Sequence, residues 1–134
     1  MIPLLIIEDD FVLATEWIKA LEKLGRFKVM HVTSAEEAQR KVDFAKVDLY
    51  IIDLFYFSAN VISKKQGGIR LIGPIRRMNP NAKIIVVTSH NISHGIGLTT
   101  EDIIKNLGAD YFLEKPFNVN KLTSLIDTIE SKFA

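Results

Sequence analysis

Four short apolar runs constrain this chain most, because each ends on residues that carry chemistry. Leu4-Leu5-Ile6-Ile7 runs into Glu8-Asp9-Asp10, and Leu49-Tyr50-Ile51-Ile52 runs into Asp53. Ile84-Ile85-Val86-Val87 runs into Thr88-Ser89, and Tyr111-Phe112-Leu113-Glu114 runs into Lys115-Pro116. Continuous apolar runs of this length, bounded by polar breaks, read as strands buried on both faces, the pattern of a parallel sheet. Ligands of open parallel sheets sit at the carboxyl ends of the strands. The four ends therefore predict one place where carboxylates, a hydroxyl and an ammonium converge.

Helical segments alternate with these runs. Leu13, Trp17, Leu21 and Leu24, with Ala14 and Ile18 beside them, repeat at helical spacing, and Gly25 supplies a stop. Phe27 to Val32 is a further strand, interrupted by Lys28 and His31 and so suited to a sheet edge. Ser34-Ala35-Glu36-Glu37 is a capping box opening a helix that carries Ala38, Val42 and Ala45. The third strand is expected at Asp48 to Ile52. Gly67-Gly68 opens a helix with Ile69, Ile72, Ile75 and Arg76, ended by Asn79-Pro80-Asn81. Strand four spans Lys83 to Val87. Thr99 or Thr100 caps a short helix from Glu101 to Leu107, stopped by Gly108. Strand five spans Asp110 to Leu113. Asn118 caps a last helix with Leu122, Leu125, Ile126, Ile129 and Phe133 on one stripe. Strict alternation implies an α/β fold: a five-stranded parallel sheet between two helical layers. With right-handed crossovers and the second strand at an edge, the strand order is 2-1-3-4-5, with a switch point between strands one and three.

Size and charge narrow the rest. At 134 residues, one domain over 1–134 is expected, large enough to bury roughly two-thirds of its unfolded surface. A formal charge of +1 provides no field toward nucleic acid or a membrane. Cysteine is absent, which excludes disulfides and thiolate metal sites and fits a cytoplasmic protein. No signal-peptide pattern, apolar run of spanning length or internal repeat is visible.

With these motifs in order on the expected elements, the chain resembles the receiver domains of two-component response regulators. The resemblance covers essentially the whole sequence. It rests on the acidic pair Glu8-Asp9, on Asp53, on Thr88, on Gly108-Ala109-Asp110 and on Lys115-Pro116-Phe117. It implies the three-layer flavodoxin-like (CheY-like) fold and a phosphoacceptor role in a phosphorelay. Asp53 would be phosphorylated by a sensor histidine kinase or phosphotransfer protein. Glu8, Asp9, Asp53 and the backbone carbonyl of Phe55 would hold Mg²⁺. Thr88 would contact the phosphoryl oxygens, Lys115 would pair with Asp53, and Phe112 would be the switch aromatic. Output would pass to a downstream protein target, with no direct contact to nucleic acid or membrane. The chain would not be an enzyme beyond its own phosphorylation and dephosphorylation.

The chemistry is coherent. A carboxylate can attack phosphorus to form an acyl phosphate, and the anionic group in transfer needs neutralisation and alignment. Mg²⁺ prefers oxygen ligands and bridges to phosphate. Three clustered acids raise at least one pKa unless a cation is present. Plainer readings of single residues stand beside this one: Asp9 or Asp10 as a helix cap, Thr88 as a turn residue, Lys115 as a surface lysine. His90 and His94 lie in loop-like sequence without a completing carboxylate, so metal ligation there is disfavoured. His31 reads as a partly exposed strand residue, Trp17 as packing, and Lys64-Lys65 and Arg76-Arg77 as solvated faces.

Two stretches depart from the receiver pattern. Residues 54–66 exceed the roughly two to six residues of ordinary βα connections, lack the proline that commonly follows the acceptor, and carry Phe55, Tyr56 and Phe57. They fit a tolerated insertion or a docking lid over Asp53. Residues 90–98 displace the following helix, and Phe112 stands where tyrosine is frequent. Phe55 and His90 flank the path of attacking water, so slow hydrolysis of the phosphorylated form is expected. Two other functions remain open: a phosphorylation-independent interaction module on the same fold, and a small Mg²⁺-dependent aspartyl phosphatase. The phosphatase is disfavoured because Phe55 stands where a general acid is needed. No glycine-rich phosphate loop follows the first strand, which disfavours nucleotide binding.

Overall fold

The computed structural model describes residues 1–53, 70–88 and 105–131. Strands β1 (Ile2–Ile7), β2 (Phe27–Val32), β3 (Leu49–Asp53), β4 (Lys83–Thr88) and β5 (Tyr111–Glu114) form one parallel sheet in the order β2-β1-β3-β4-β5. Helices α1 (Phe11–Lys23), α2 (Ala35–Lys41), α3 (Ile72–Met78) and α4 (Val119–Ser131) pack on the sheet. This is the flavodoxin-like architecture, with the interrupted strand β2 at an edge and the most apolar strands inside.

The period of two along each strand divides the core into two layers. Leu5, Ile7, Tyr50, Ile52, Ile84 and Val86 pack with Ala35 and Ala38 of α2 and Ile72 and Ile75 of α3. Leu4, Ile6, Leu49, Ile51, Ile85 and Val87 pack with Trp17 and Leu21 of α1 and with Leu122, Ile126 and Ile129 of α4. Both layers are buried, which is why β1, β3 and β4 are apolar without alternation.

Local signals explain most of the element ends. Asp10 Oδ1 accepts the Leu13 N–H at 3.1 Å and starts α1, and Gly25 follows the helix at φ +72°. Ser34 Oγ accepts the Glu37 N–H at 3.0 Å. Glu37 reaches back to the Thr33 N–H at 2.7 Å, one residue earlier than the usual reciprocal box. That N–H, together with Lys41, holds the Glu37 carboxyl down at about 2. Asn118 Oδ1 accepts the Lys121 N–H at the head of α4.

Two expectations are corrected. The second helix does not extend to Ala45. Val42 turns extended, and Asp43 Oδ1 accepts the Ala45 N–H at 3.0 Å, opening a separate 3₁₀ turn at Phe44–Lys46. Nor is Arg76 a solvated face. Its guanidinium donates to Gly108 O at 2.8 Å, Ala82 O at 2.5 Å and Asp110 Oδ2 at 2.6 Å. Asp110 Oδ2 in turn accepts the Ile84 N–H at 2.8 Å. This clip ties the end of α3 to the starts of β4 and β5. Gly108 completes it at φ +103°, where a Cβ would meet Ile72 Cγ2 at 3.1 Å. Gly67-Gly68, the helix start at Thr99 to Glu101, and Phe133 lie outside the described residues.

Candidate functional site

The two-layer geometry decides which strand-end side chains meet. Leu49 and Ile51 face the α1/α4 layer, so Asp53, the next residue in that alternation, points to the same side. Glu8 follows Leu4 and Ile6 in the same way, and Lys115 follows Leu113. Both of these lie one residue beyond their strands, yet the ladder still holds them. The Glu8 N–H donates to Val32 O at 3.1 Å, and the Lys115 N–H donates to Thr88 O at 2.9 Å.

Three acids and one ammonium gather there. One oxygen each of Glu8, Asp9 and Asp53 lies within 4.8 Å of the others. Glu8 and Asp53 are 1% and 3% exposed, whereas Asp9 is at the surface. Lys115 Nζ is 2.5 Å from Glu8 Oε1 and 3.7 Å from Asp53 Oδ1. Glu8 Oε2 accepts the Asp10 N–H at 3.2 Å. Because Asp10 takes the capping duty of α1, Asp9 is left to the pocket.

Asp53 Oδ1 is buried, and among the described residues no hydrogen-bond donor reaches it. Burial, then the charge of Glu8, pushes the Asp53 carboxyl up to about 8, with Lys115 opposing the rise. Burial and Glu8 also raise Asp9. When all three acids are ionised, one ammonium leaves a formal excess of two negative charges. A donorless buried oxygen within an all-oxygen, net-negative cluster fits a hard divalent cation.

The other expected residues fall around this group. Thr88 is fully buried at the end of β4, one residue past the Val87 that pairs with Asp53. Its alternation with Val86 puts it on the α2/α3 side. Phe112 pairs with Val86, is half-buried, and packs against that same layer. Phe55, His90, His94 and the stretches 54–66 and 90–98 lie outside the described residues.

Two neighbours of the pocket were not legible as such in the sequence. The His31 Nε2–H donates to the Glu8 carbonyl at 2.8 Å, with the Phe11 ring edge-on to it at 5.6 Å. Trp17 lies 5.8 Å beneath the Lys115 ammonium and stacks on Phe117 at 5.5 Å. Both contacts depend on which strand and helix lie next to the site. Only the edge position of β2 hinted at the first. A separate groove of about 620 Å³ between α1 and the start of α4 is lined by Lys19, Lys23, Leu24 and Phe117 and by none of the three acids.

Known proteins share this sequence pattern and this fold. The family model for the response regulator receiver domain matches residues 4–127. A DNA-binding transcriptional regulator NtrC from Azospirillum brasilense is 29% identical over 92% of this chain, which covers 23% of that protein. The chain spans between 23% and 60% of the length of the curated relatives it matches. A two-component response regulator from Clostridium difficile superposes with a TM-score of 0.79 at 23% identity, over 99% of this chain and 98% of that one. A response regulator from Burkholderia pseudomallei, solved with a phosphorylated aspartic acid, calcium ion and citrate, gives 0.70 at 24% identity, over 100% and 74%. Among the described residues no helix is long and apolar enough to cross a membrane.

Proposed function

The chain belongs to the response regulator receiver domain family, and from that premise we propose that Asp53 is its phosphoacceptor, served by Glu8, Asp9, Thr88, Lys115 and a Mg²⁺ ion. The observation that carries this reading is the buried Asp53 Oδ1, which no donor reaches among the described residues. An unsatisfied buried oxygen costs stability, and a lone pair not engaged by a donor is free to attack phosphorus or to take a cation. An Asp53 oxygen forms the new P–O bond as the donor's P–N or P–O bond breaks, and the electron pair leaves with the donor. The carboxyl has to be ionised to attack, and Lys115, 3.7 Å away, favours that form. Glu8, Asp9 and Asp53 would hold the Mg²⁺ ion, which would supply charge neutralisation for the transferred group. The Thr88 hydroxyl donates to one of those oxygens. The Phe55 carbonyl completes the set on the strength of the family resemblance.

In this reading residues 1–134 form one receiver. A sensor histidine kinase or phosphotransfer protein is the donor, and a protein target takes the output. A cytoplasmic location belongs to the same proposal. The Burkholderia structure, with its phosphorylated aspartic acid and calcium ion, supports it by analogy of fold. The test is mass spectrometry after incubation with acetyl phosphate and MgCl₂. One added phosphoryl group is expected in the wild type, and none in Asp53→Asn or with EDTA. An adduct that persists in Asp53→Asn, or a wild type that takes none, overturns the assignment.

A further inference from the structure

Lys115 stands between two carboxylates and above an aromatic floor. We propose that Trp17 is a positioning residue for Lys115: with Phe117 it makes a shelf that holds the ammonium on Glu8 as a tethered counter-ion, which has to leave before the pocket can accept a divalent cation. The inference rests on the reading of Glu8 as a metal ligand.

Three distances carry it. Nζ is 2.5 Å from Glu8 Oε1, 3.7 Å from Asp53 Oδ1 and 5.8 Å from the Trp17 ring centroid. The indole is 1% exposed and stacked within 19° of the Phe117 plane, so its face is fixed. The lysine side chain is 17% exposed and the Glu8 side chain fully buried. An ammonium over an indole face is attracted by the ring quadrupole, more strongly where water is scarce. Each Glu8 oxygen already has a donor, Lys115 on Oε1 and the Asp10 N–H on Oε2. Asp53 Oδ1, by contrast, has none among the described residues. The ammonium that vacates Glu8 keeps the Asp53 carboxyl, 3.7 Å away, as a partner, and in this proposal that move loosens its contact with the indole. Size alone accounts for a large apolar residue at position 17. It does not account for a π face under the ammonium.

The chain has a single tryptophan, so indole emission comes from Trp17 alone. Titration of the wild type with MgCl₂ should change Trp17 emission in step with amide shifts at residues 7–10 and 53. In Lys115→Gln the amide shifts should persist while the emission change disappears. An emission change of the same size in Lys115→Gln overturns the proposal. A second arm uses Trp17→Leu and Trp17→Phe, with affinity read from the amide shifts. Trp17→Leu should bind Mg²⁺ roughly two- to thirtyfold more tightly, the range a cation–π contact converts to. Trp17→Phe should stay near wild type. In the Lys115→Gln background, Trp17→Leu should have no effect. A Trp17→Leu effect of equal size in both backgrounds overturns the proposal as mere packing. Acetyl phosphate labelling is read separately. Labelling with a silent tryptophan overturns the shelf and spares the acceptor assignment. A responding tryptophan without labelling supports the shelf and counts against the acceptor.

Discussion

At the scale of single residues, the pocket is built around a carboxyl in the wrong protonation state for its proposed work. Asp53 is raised to about 8 by burial and by Glu8. Its unfolded value is near 3.8, so between these two values the folded chain holds a proton that the unfolded chain has lost. Stability then falls as pH rises through that window. Asp53→Asn removes the titration and keeps the shape. In EDTA the variant should melt slightly higher than the wild type near pH 5 and much higher near pH 8, by roughly 3–6 °C for each kcal/mol recovered. MgCl₂ should stabilise the wild type at pH 8, more weakly at pH 5, and not stabilise Asp53→Asn, because metal binding requires the ionised ligand. Thermal melts at the two pH values check all of this. A variant that melts lower than the wild type at pH 8 would sink the argument. Glu8, Asp9, Asp53 and Lys115 were legible in the sequence because each ends an apolar run, and alternation along a strand fixes the side to which it points. Trp17 and His31 were not, because their roles depend on neighbours from other elements.

At the scale of elements, sequence signals located every described strand and most ends, and the failures share a cause. The second helix was read past its end because Val42 and Ala45 continue the apolar spacing, yet Asp43 captures the Ala45 N–H and breaks the run. A short-range side-chain bond outweighed periodicity. In sequence Arg76 reads as solvated because it follows a helical stripe next to Arg77. Its partners lie in two other chain segments, before β4 and before β5, that only the fold brings to it. Removing it leaves the Gly108 and Ala82 carbonyls and Asp110 short of a donor. Arg76→Ala should cost about 2–3 kcal/mol. Arg76→Lys should recover little of that, since an ammonium lacks the planar fork that reaches three acceptors together. Urea unfolding at constant m-value checks the ranking. A lysine variant as stable as the wild type would mean that charge alone matters there.

At the scale of the whole molecule, the sheet separates the proposed acceptor from its read-out. Asp53 and Lys115 face the α1/α4 layer, whereas Thr88 and Phe112 face the α2/α3 layer. The 2-1-3-4-5 order that creates this arrangement was legible from Lys28 and His31 marking an edge and from three uninterrupted runs marking the centre. What the stretches 54–66 and 90–98 do was not, because neither carries a repeat that burial could enforce. A phosphoryl group on Asp53 that draws in Thr88 would connect the two layers around the carboxyl edge of the sheet. One hydrogen bond to a charged acceptor contributes about 1.5–3 kcal/mol. If made in only one conformation, it shifts a two-state equilibrium roughly ten- to a hundredfold. Phe112, half-buried beside Val86 and two residues before Glu114 in the Thr88 register, is placed to follow. Addition of beryllofluoride and MgCl₂, a mimic of the phosphorylated carboxyl, should shift NMR signals at residues 8–10, 53 and 88, and also at Phe112 and residues 90–98. In Phe112→Ala the first group should still shift and the second should not. If the wild type responds only around the acids, Phe112 does not transmit, and output has to leave from the α1/α4 side, where Lys115 sits.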